Sequence, residues 1–245
     1  MAFVPTHNSR IAISDREWSG DLTSVDTSSA VDPLDTTTLA DTSKSFIAGM
    51  MSGTMTCNGL IDSASASVAN SQWQDLYAIK GDSDGVPAII ALEGFTAGKQ
   101  VWVAQATETS WSNNSSVAGT VNFTINMETT GDQGYGVSLF DPGTAQTATG
   151  NGTAVDNSSS TSTGAVANLN VVEVSGTSPT LDVVVQHSAD DTTYSTLLTY
   201  TQATGTTSQR LAVASGVTIN RYLRVSATIG GTTPSFKFAV GFARL

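Results

Sequence analysis

Residues 25–62 read VDTSSAVDPLDTTTLADTSKSFIAGMMSGTMTCNGLID, and this stretch decides how the chain folds. Its first half, up to Lys44, is rich in Ser, Thr and Asp and poor in large apolar residues, so it cannot bury enough surface to fold alone. Its second half alternates between two sides as a strand does, with Ser52, Thr54 and Thr56 opposite Gly53, Met55 and Cys57. The pattern predicts a polar arm that leads directly into a β-strand over residues 53–61.

The arm, residues 20–44, is longer than the connections found inside compact domains. Polar segments of this length are either disordered or ordered by a partner. We interpret the arm as an assembly device, through which copies of the chain contact one another.

The composition indicates an all-β protein, mainly antiparallel. Charged residues make up only 13% of the 245 residues, and 22 are glycine. Short strands joined by many turns have such a composition, whereas helices are rich in Ala, Leu, Glu and Lys. The length suits one large β domain or two of ordinary size.

The acidic charge is unevenly placed along the chain. Residues 1–134 hold 15 Asp and Glu against 5 Lys and Arg, a net charge of −10, whereas residues 135–245 hold 6 against 5, a net charge of −1. This contrast predicts two domains, 1–134 and 135–245. The overall net charge of −11 argues against binding of nucleic acid through phosphate contacts, which need clustered Lys and Arg.

The first predicted domain contains one short helix, about residues 70–79, with Asn70 or Ser71 as its N-cap and an apolar face of Trp73, Leu76 and Tyr77. A long strand over residues 117–128 then alternates between two faces. Its apolar residues are Val121, Phe123, Ile125 and Met127, and its polar residues are Thr120, Asn122, Thr124 and Asn126. A one-sided strand of this kind belongs to an antiparallel sheet with one wet face.

The second predicted domain consists of several short alternating strands, among them residues 167–174, 180–186, 222–229 and 235–243. Turn residues separate these strands at short intervals. This pattern predicts a β-sandwich of the Ig-like or jelly-roll kind.

The sequence offers few candidate residues for enzymatic catalysis. The only histidines are His7 and His187, far apart in the chain. Five of the 15 acidic residues of the first domain lie in the arm, where no apolar pocket could raise a carboxyl pKa. Residues 188–194 and 82–85 are predicted to be structural turns, and the single Cys57 to be a buried, inert thiol. We expect no enzyme, no cofactor and no metal.

Three aromatic residues, Trp102, Trp111 and Tyr135, could form a platform for a sugar, but packing in the core or at an edge is the simpler interpretation. The N-terminal residues lack the apolar core of a signal peptide, and no apolar run reaches the roughly 18 residues of a membrane helix. We therefore expect a soluble chain made in a cytoplasm.

A family resemblance is carried by several stretches of this sequence. They are the pattern V-D-x-x-x-x-V-D-x-L-D-T-T-T-L-x-D at residues 25–41, FIAGMMSGTMTCNG at 46–59, VAGTVNFTINME at 117–128, and the strands of residues 151–244. With them the chain resembles the major tail (tail tube) proteins of long-tailed, siphovirus-type bacteriophages. The resemblance spans nearly the whole chain and rests on many weak positions.

The resemblance implies a β-sandwich or half-barrel with one short helix and a long arm, followed by an appended Ig-like or jelly-roll sandwich. Six copies of such a protein form a ring, and the rings stack into a tube through which double-stranded DNA is ejected. Other tail proteins (tape measure, tail terminator and distal tail) are the implied partners. The implied location is the virion tail, after synthesis in the host cytoplasm.

Specific residues follow from this resemblance. The arm is implied to contact neighbouring subunits and the adjacent ring through Val25, Asp26, Val31, Asp32, Leu34, Asp35, Thr37, Leu39, Asp41 and Phe46. The polar face of the long strand is expected to line the channel with Thr120, Asn122, Thr124 and Asn126. DNA slides most easily past a wall that offers no Lys or Arg, and this face offers none.

Two other classes of function stay open at the level of sequence. One is a capsid decoration protein or glycan-binding adhesin that uses the C-terminal sandwich. The other is a glycoside hydrolase. Both leave the acidic arm unexplained.

Overall fold

The structure is a computed structural model, and it describes residues 8–61, 72–115, 117 and 119–245. Within these residues the chain is almost entirely β-strand, with a single helix, α1 (Gln72–Ile79). The strand registers given by these residues are antiparallel. The all-β prediction is confirmed. No helix among the described residues is long and apolar enough to cross a bilayer.

The helix agrees only in part with its predicted packing. Ile79 is buried, but Tyr77, which was predicted to lie on the packed face, is 76% exposed. The prediction for Tyr77 is wrong, because the last turn of α1 buries Ile79 and exposes the Tyr77 ring to solvent. The predicted N-caps Asn70 and Ser71 lie outside the described residues, as do His7 and the side chains of Trp73 and Leu76.

Fourteen strands are present in the described part of the chain. They are β1 (Arg10–Ile13), β2 (Arg16–Glu17), β3 (Leu22–Asp35), β4 (Phe46–Leu60), β5 (Val86–Ala91), β6 (Gln100–Asn114), β7 (Asn122–Thr129), β8 (Gly134–Phe140), β9 (Gly150–Asn151), β10 (Val155–Asp156), β11 (Ala165–Ser188), β12 (Ser195–Thr199), β13 (Thr207–Val213) and β14 (Tyr222–Arg244).

The strands divide between two compact units. The core unit comprises residues 8–20, Val86–Gln105 and Asp132–Leu245, and the hairpin unit comprises the described parts of Asp21–Gly85 and Ala106–Gly131. This division differs from the predicted one at residue 134, because two N-terminal segments pack with the C-terminal part of the chain. That residues 135–245 fold independently stays a prediction.

Two long strands, β11 and β14, pair along almost their whole length in the core unit. The sequence predicts two short strands in place of each, and this prediction is wrong. The ladder continues through a bend in both strands, where Gly176 and Gly231 take φ angles of 118° and 110° and the register shifts between Ser175 and Thr180. Glycine accepts these angles without steric cost, so the sequence signals of a turn mark a bend within a strand.

Both halves of these bent strands contribute to one apolar core. Its buried members from β11 are Ala165, Ala167, Leu169 and Val171 before the bend and Leu181, Val183 and Val185 after it. Leu223, Val225, Phe236, Phe238, Val240 and Phe242 of β14 complete it in the same way. The two halves thus pack on each other as the layers of a sandwich do.

The other face of the first half of β11 carries two buried asparagines. Asn168 Nδ2 donates hydrogen bonds to the carbonyl oxygens of Ala88 (3.0 Å) and Ala104 (2.6 Å). Asn170 Nδ2 donates to the carbonyl oxygens of Pro87 (3.0 Å) and Ser14 (2.5 Å). These side chains satisfy buried carbonyl groups of the N-terminal segments. They therefore attach those segments to the C-terminal sheet.

Four strands form the sheet of the hairpin unit in the order β3-β4-β7-β6. Met55, Cys57, Phe123, Ile125 and Met127 are buried on one face, so the predicted alternation in β4 and β7 is confirmed. Burial raises the pKa of the Cys57 thiol to about 12, which makes it an inert thiol at neutral pH. The long strand starts later than predicted, so Thr120 and Val121 precede β7.

Replacing Asn170 by Asp tests the role of the buried asparagines. The variant would place a carboxylate against two carbonyl oxygens, and we expect it to lose about 3 kcal/mol or more of unfolding free energy. Urea denaturation followed by circular dichroism measures this loss. Asn151→Asp, on the exposed strand β9, is the control and should change the free energy little. Equal values for the two variants would contradict the assigned role.

Candidate subunit interface and channel face

The predicted arm is one strand of a long β-hairpin. β3 pairs with β4 from Leu22 opposite Gly59 to Asp35 opposite Phe46, with a register shift at Val31 and Pro33. The prediction of an arm without its own structure is therefore wrong. The ladder pairs the backbone N–H and C=O groups of β3 that face β4, and it needs no apolar burial to do so. Composition alone does not show such a ladder.

The hairpin runs beyond the strand that supports it. β7 pairs with β4 only as far as Thr54, opposite Glu128, whereas β4 begins at Phe46. The end of the hairpin therefore projects about 25 Å past its sheet, at 3.3 Å per residue. A two-stranded hairpin is marginally stable on its own in water, so a partner surface would stabilise this projection.

Local hydrogen bonds shape the turn at the end of the hairpin. Asp35 Oδ1 accepts from Thr37 N (2.8 Å), and Asp41 Oδ2 accepts from Thr38 N (2.7 Å) and Thr38 Oγ1 (3.0 Å). Hydrogen bonds from Thr37 lower the pKa of Asp35, and hydrogen bonds from Thr38 lower that of Asp41. Three predicted interface residues, Asp35, Thr37 and Asp41, thus have a local role in building the turn.

Large apolar side chains are exposed on both faces of the projection. We call Val31, Leu34, Leu39, Phe46, Ile47, Met50 and Met51 the tip patch, and their exposed fractions run from 44% for Val31 to 110% for Leu39. Met51, in register with Val31, continues the face on which Met55 and Cys57 are buried. β4 has one extra residue at the register shift, so Leu34 and Ile47, which are opposite each other, lie on the other face. The projection therefore offers apolar contacts to both sides.

The tip patch contains four of the ten residues of the predicted interface. Val31, Leu34, Leu39 and Phe46 belong to it, and Asp32 is exposed beside them. Val25 and Asp26 do not, because they pair with Cys57 and Thr56 in the supported part of the hairpin. The sequence reasoning missed Ile47, Met50 and Met51, although the apolar run from Phe46 to Met51 was a usable signal.

Polar side chains link the four strands on the other face of the sheet. Thr124 Oγ1 donates to Asn58 Oδ1 (2.8 Å), and Asn58 Nδ2 donates to Ser24 Oγ (3.0 Å). In the next row Thr56 Oγ1 donates to Asn126 Oδ1 (2.9 Å), and Asn126 Nδ2 donates to Ser110 Oγ (2.9 Å). We call this surface the polar face.

The four predicted channel residues are not equally placed. Thr124 and Asn126 lie within the network of the polar face, and Asn122 lies at the start of β7. Thr120 precedes the strand and donates to Asn122 Oδ1 at 3.2 Å. That these residues line a channel stays a prediction.

The polar face belongs to the acidic part of the molecule. The sequence of the hairpin unit holds 11 Asp and Glu against 2 Lys and Arg, a net charge of −9, and the core unit holds 10 against 8. Asp26 and Glu128 stand on the polar face beside Thr56 and Thr54, and residues 109–127 carry no charged side chain. A phosphate backbone would find no basic side chain in that segment.

A buried carboxyl group lies on the apolar side of the same sheet. Glu108 is 2% exposed and stands in register with Met127 and, one strand further, Met55. Neither carboxyl oxygen has a hydrogen-bond partner among the described residues. Burial raises the pKa of Glu108 to about 7, against the opposing effect of Lys80. No feature of the sequence distinguished this glutamate from a surface one.

The sites considered for enzymatic or binding chemistry are structural where they are described. Ser188 Oγ donates to Asp190 Oδ1, which also accepts from Thr192 N and Thr193 N, so this segment is the predicted turn. His187 lies in β11, is half-buried, and accepts a hydrogen bond from Asn220 N. The described residues contain no group of three His, Cys, Asp or Glu able to hold a metal.

Of the three aromatic residues considered for a sugar platform, two are cross-strand neighbours in the core unit and the third belongs to the hairpin unit. Trp102 is buried in the core unit, and Tyr135, its cross-strand neighbour on β8, is 64% exposed. Trp111 belongs to the hairpin unit. Core packing is confirmed for Trp102.

Comparison with known proteins gives structural likenesses only. No family model matches the sequence, and no curated protein matches it significantly. The fold is similar to the tail of an empty gene transfer agent particle with C6 symmetry (15% identity, 47% of this chain and 81% of that one, TM-score 0.39). It is also similar to the SPP1 tail tube (7% identity, 54% and 78%, TM-score 0.41).

A further likeness covers nearly the full chain. The crystal structure of the Dit protein of SPP1, from the adsorption apparatus of phages that infect Gram-positive bacteria, matches 96% of this chain and 98% of its own, at 8% identity and a TM-score of 0.35. These solved structures belong to tails or to a tail adsorption apparatus, and the sequence resemblance is also to tail proteins.

The buried glutamate makes stability depend on pH in a defined direction. Because the pKa of Glu108 is raised on folding, its neutral form favours the folded state, and the unfolding free energy should fall as pH rises from about 4.5 to about 7. In Glu108→Gln this contribution to the decrease should be absent. Urea denaturation at several pH values measures it, with Glu128→Gln on the exposed side of the sheet as the matched control. Parallel pH curves for Glu108→Gln and wild type would contradict the assignment.

Proposed function

We propose that this chain is a structural, non-enzymatic virion protein that assembles into the tail tube of a siphovirus-type phage. The observation that carries the proposal is the hairpin end, which projects past its own sheet with the seven apolar side chains of the tip patch exposed. Exposed apolar area of this extent on a soluble protein marks an interaction site. We propose that other copies of the chain cover the side chains of the tip patch.

Ring formation is proposed to use the edges of the hairpin-unit sheet. Among the described strands, β3 pairs only with β4, and the end of β6 from Ser112 to Asn114 pairs only with β7. Such edges invite pairing with another chain. In a ring where each β3 edge pairs with the β6 edge of the next copy, no such edge would stay unpaired. Six copies per ring is the number that the family resemblance implies.

The polar face is our candidate for the channel wall. Its Ser, Thr and Asn side chains are hydrogen-bonded to one another across the strands, and its charges are the carboxylates of Asp26 and Glu128. A wall of this kind gives DNA no basic counter-charges and therefore no strong phosphate contacts. Double-stranded DNA would pass through without specific binding and be ejected into the host.

The remaining assignments complete this proposal. The partners would be further copies of the chain and the other tail proteins, namely tape measure, tail terminator and distal tail. The location would be the virion tail, with synthesis in the host cytoplasm. Residues 135–245, with their net charge of −1, would serve as the outward-facing decoration.

Shortening the hairpin tests the assembly proposal. Ala30 and Ser52 are directly opposite each other, so an Asn-Gly turn between them can replace residues 31–51 without disturbing the supported ladder. We expect a folded protein that forms no tubes, because the tip patch is gone. Electron microscopy and light scattering measure assembly, with the full-length chain as the positive control. Normal tubes from the shortened protein would refute the proposal.

A lysine on the polar face tests the channel wall. Thr54 is exposed and lies beside Glu128, so Thr54→Lys should fold and assemble but add a ring of positive charge to each layer of the tube. Virions with this change should eject DNA more slowly at low salt and recover at high salt, because phosphate contacts weaken steeply with salt. Thr54→Gln is the neutral control. An unchanged ejection rate at low salt, with intact tubes, would exclude this face as the wall.

A further inference from the structure

The hairpin unit exposes a second apolar area at the end of its sheet opposite the tip patch. Leu60, Val117 and Val121 form this area, which we call the base patch, and they are 40%, 111% and 38% exposed. Leu60 ends β4 and stands in register with Asn122, which in turn stands opposite Asn114. Ile61 N donates to the carbonyl oxygen of Val121 at 2.9 Å, so the members lie at one end of the sheet.

The two patches account for nearly all of the large apolar side chains that the described residues of this unit expose. Seven lie in the tip patch and three in the base patch, and Tyr77 of α1 is the other one. β4 connects the patches directly, because it begins at Phe46 in the tip and ends at Leu60 in the base. The apolar surface is thus concentrated at the two ends of one sheet.

The charges at the two ends are compatible with contact. The tip carries Asp32, Asp35 and Asp41, which would be repelled by most of this acidic unit. The base segment of residues 109–127 has no charged side chain, although Asp21 lies at the same end, where its carbonyl oxygen accepts from Leu60 N. The base patch is therefore an apolar surface in a largely neutral part of an acidic unit.

We propose that the tip patch of one copy docks on the base patch of a second copy. The two surfaces differ, so the contact is head-to-tail, and it lies at opposite ends of one sheet, so it repeats without closing. The tip patch has seven large side chains about half exposed or more, an area on the order of the 800 Å² that each partner buries in a standard interface. This inference rests on the proposed self-assembly and names the contact that stacks one layer on the next.

Two variants with one blocked end each test the contact. Ile47→Asp with Met51→Asp blocks the tip, and Val117→Asp with Val121→Asp blocks the base; all four side chains are exposed, so both proteins should fold. Each variant alone should form no tubes. Mixed after separate preparation, they should join once, through the intact base of the first and the intact tip of the second. The mixture should therefore show a species of twice the mass of either variant.

Analytical ultracentrifugation and electron microscopy measure these masses, and thermal unfolding by circular dichroism verifies that both variants are folded. Tyr77→Asp, exposed but outside both patches, is the control and should form normal tubes. Tubes from the base variant together with none from the tip variant would overturn the docking inference and leave the assembly proposal standing. Normal tubes from both variants would also overturn the docking inference, whereas absence of tubes from the unaltered chain would overturn the assembly proposal. A mixture that keeps the mass of its separate components would also refute head-to-tail docking.

Discussion

The feature on which the rest of this structure depends is a β-ladder that is longer than the sheet supporting it. Two strands suffice to pair the backbone groups that face each other, so the hairpin keeps its ladder beyond Thr54. Two strands have no third element to cover their faces. Apolar side chains that would be buried further along the same strand are therefore exposed at the end of the hairpin.

The same strands separate two physical tasks by the alternation of their side chains. One face of β4 and β7 buries Met55, Cys57, Phe123, Ile125 and Met127, and the other carries a network of Ser, Thr and Asn. The acidic charge is concentrated in this unit, at −9 of the total −11. Glu108, buried in it without a described partner, adds a carboxyl group that is neutral for part of the time at neutral pH. The unit that is proposed to face DNA is thus the acidic one.

Sequence patterns predicted the parts of this fold that depend on local alternation. The two faces of residues 52–57 and 122–127 followed from period-two polarity, and the all-β class followed from composition. The patterns failed where backbone hydrogen bonds between strands, and not apolar burial, determine the structure. The sequence predicts an arm in place of β3 because Ser and Thr residues give no burial signal, and it predicts turns at Gly176 and Gly231 because a bend within a strand uses the same residues. The environment of Glu108 depends on contacts between strands, which no local pattern contains.

The buried thiol described above has a practical consequence for studying this protein. Cys57 is the only cysteine of the chain, it is fully buried, and its raised pKa keeps it from forming a thiolate at neutral pH. The natural chain is therefore already a background without reactive sulfur. A single cysteine introduced at any exposed position would react alone with a maleimide dye or spin label, so distances between copies could be measured without first removing a native residue.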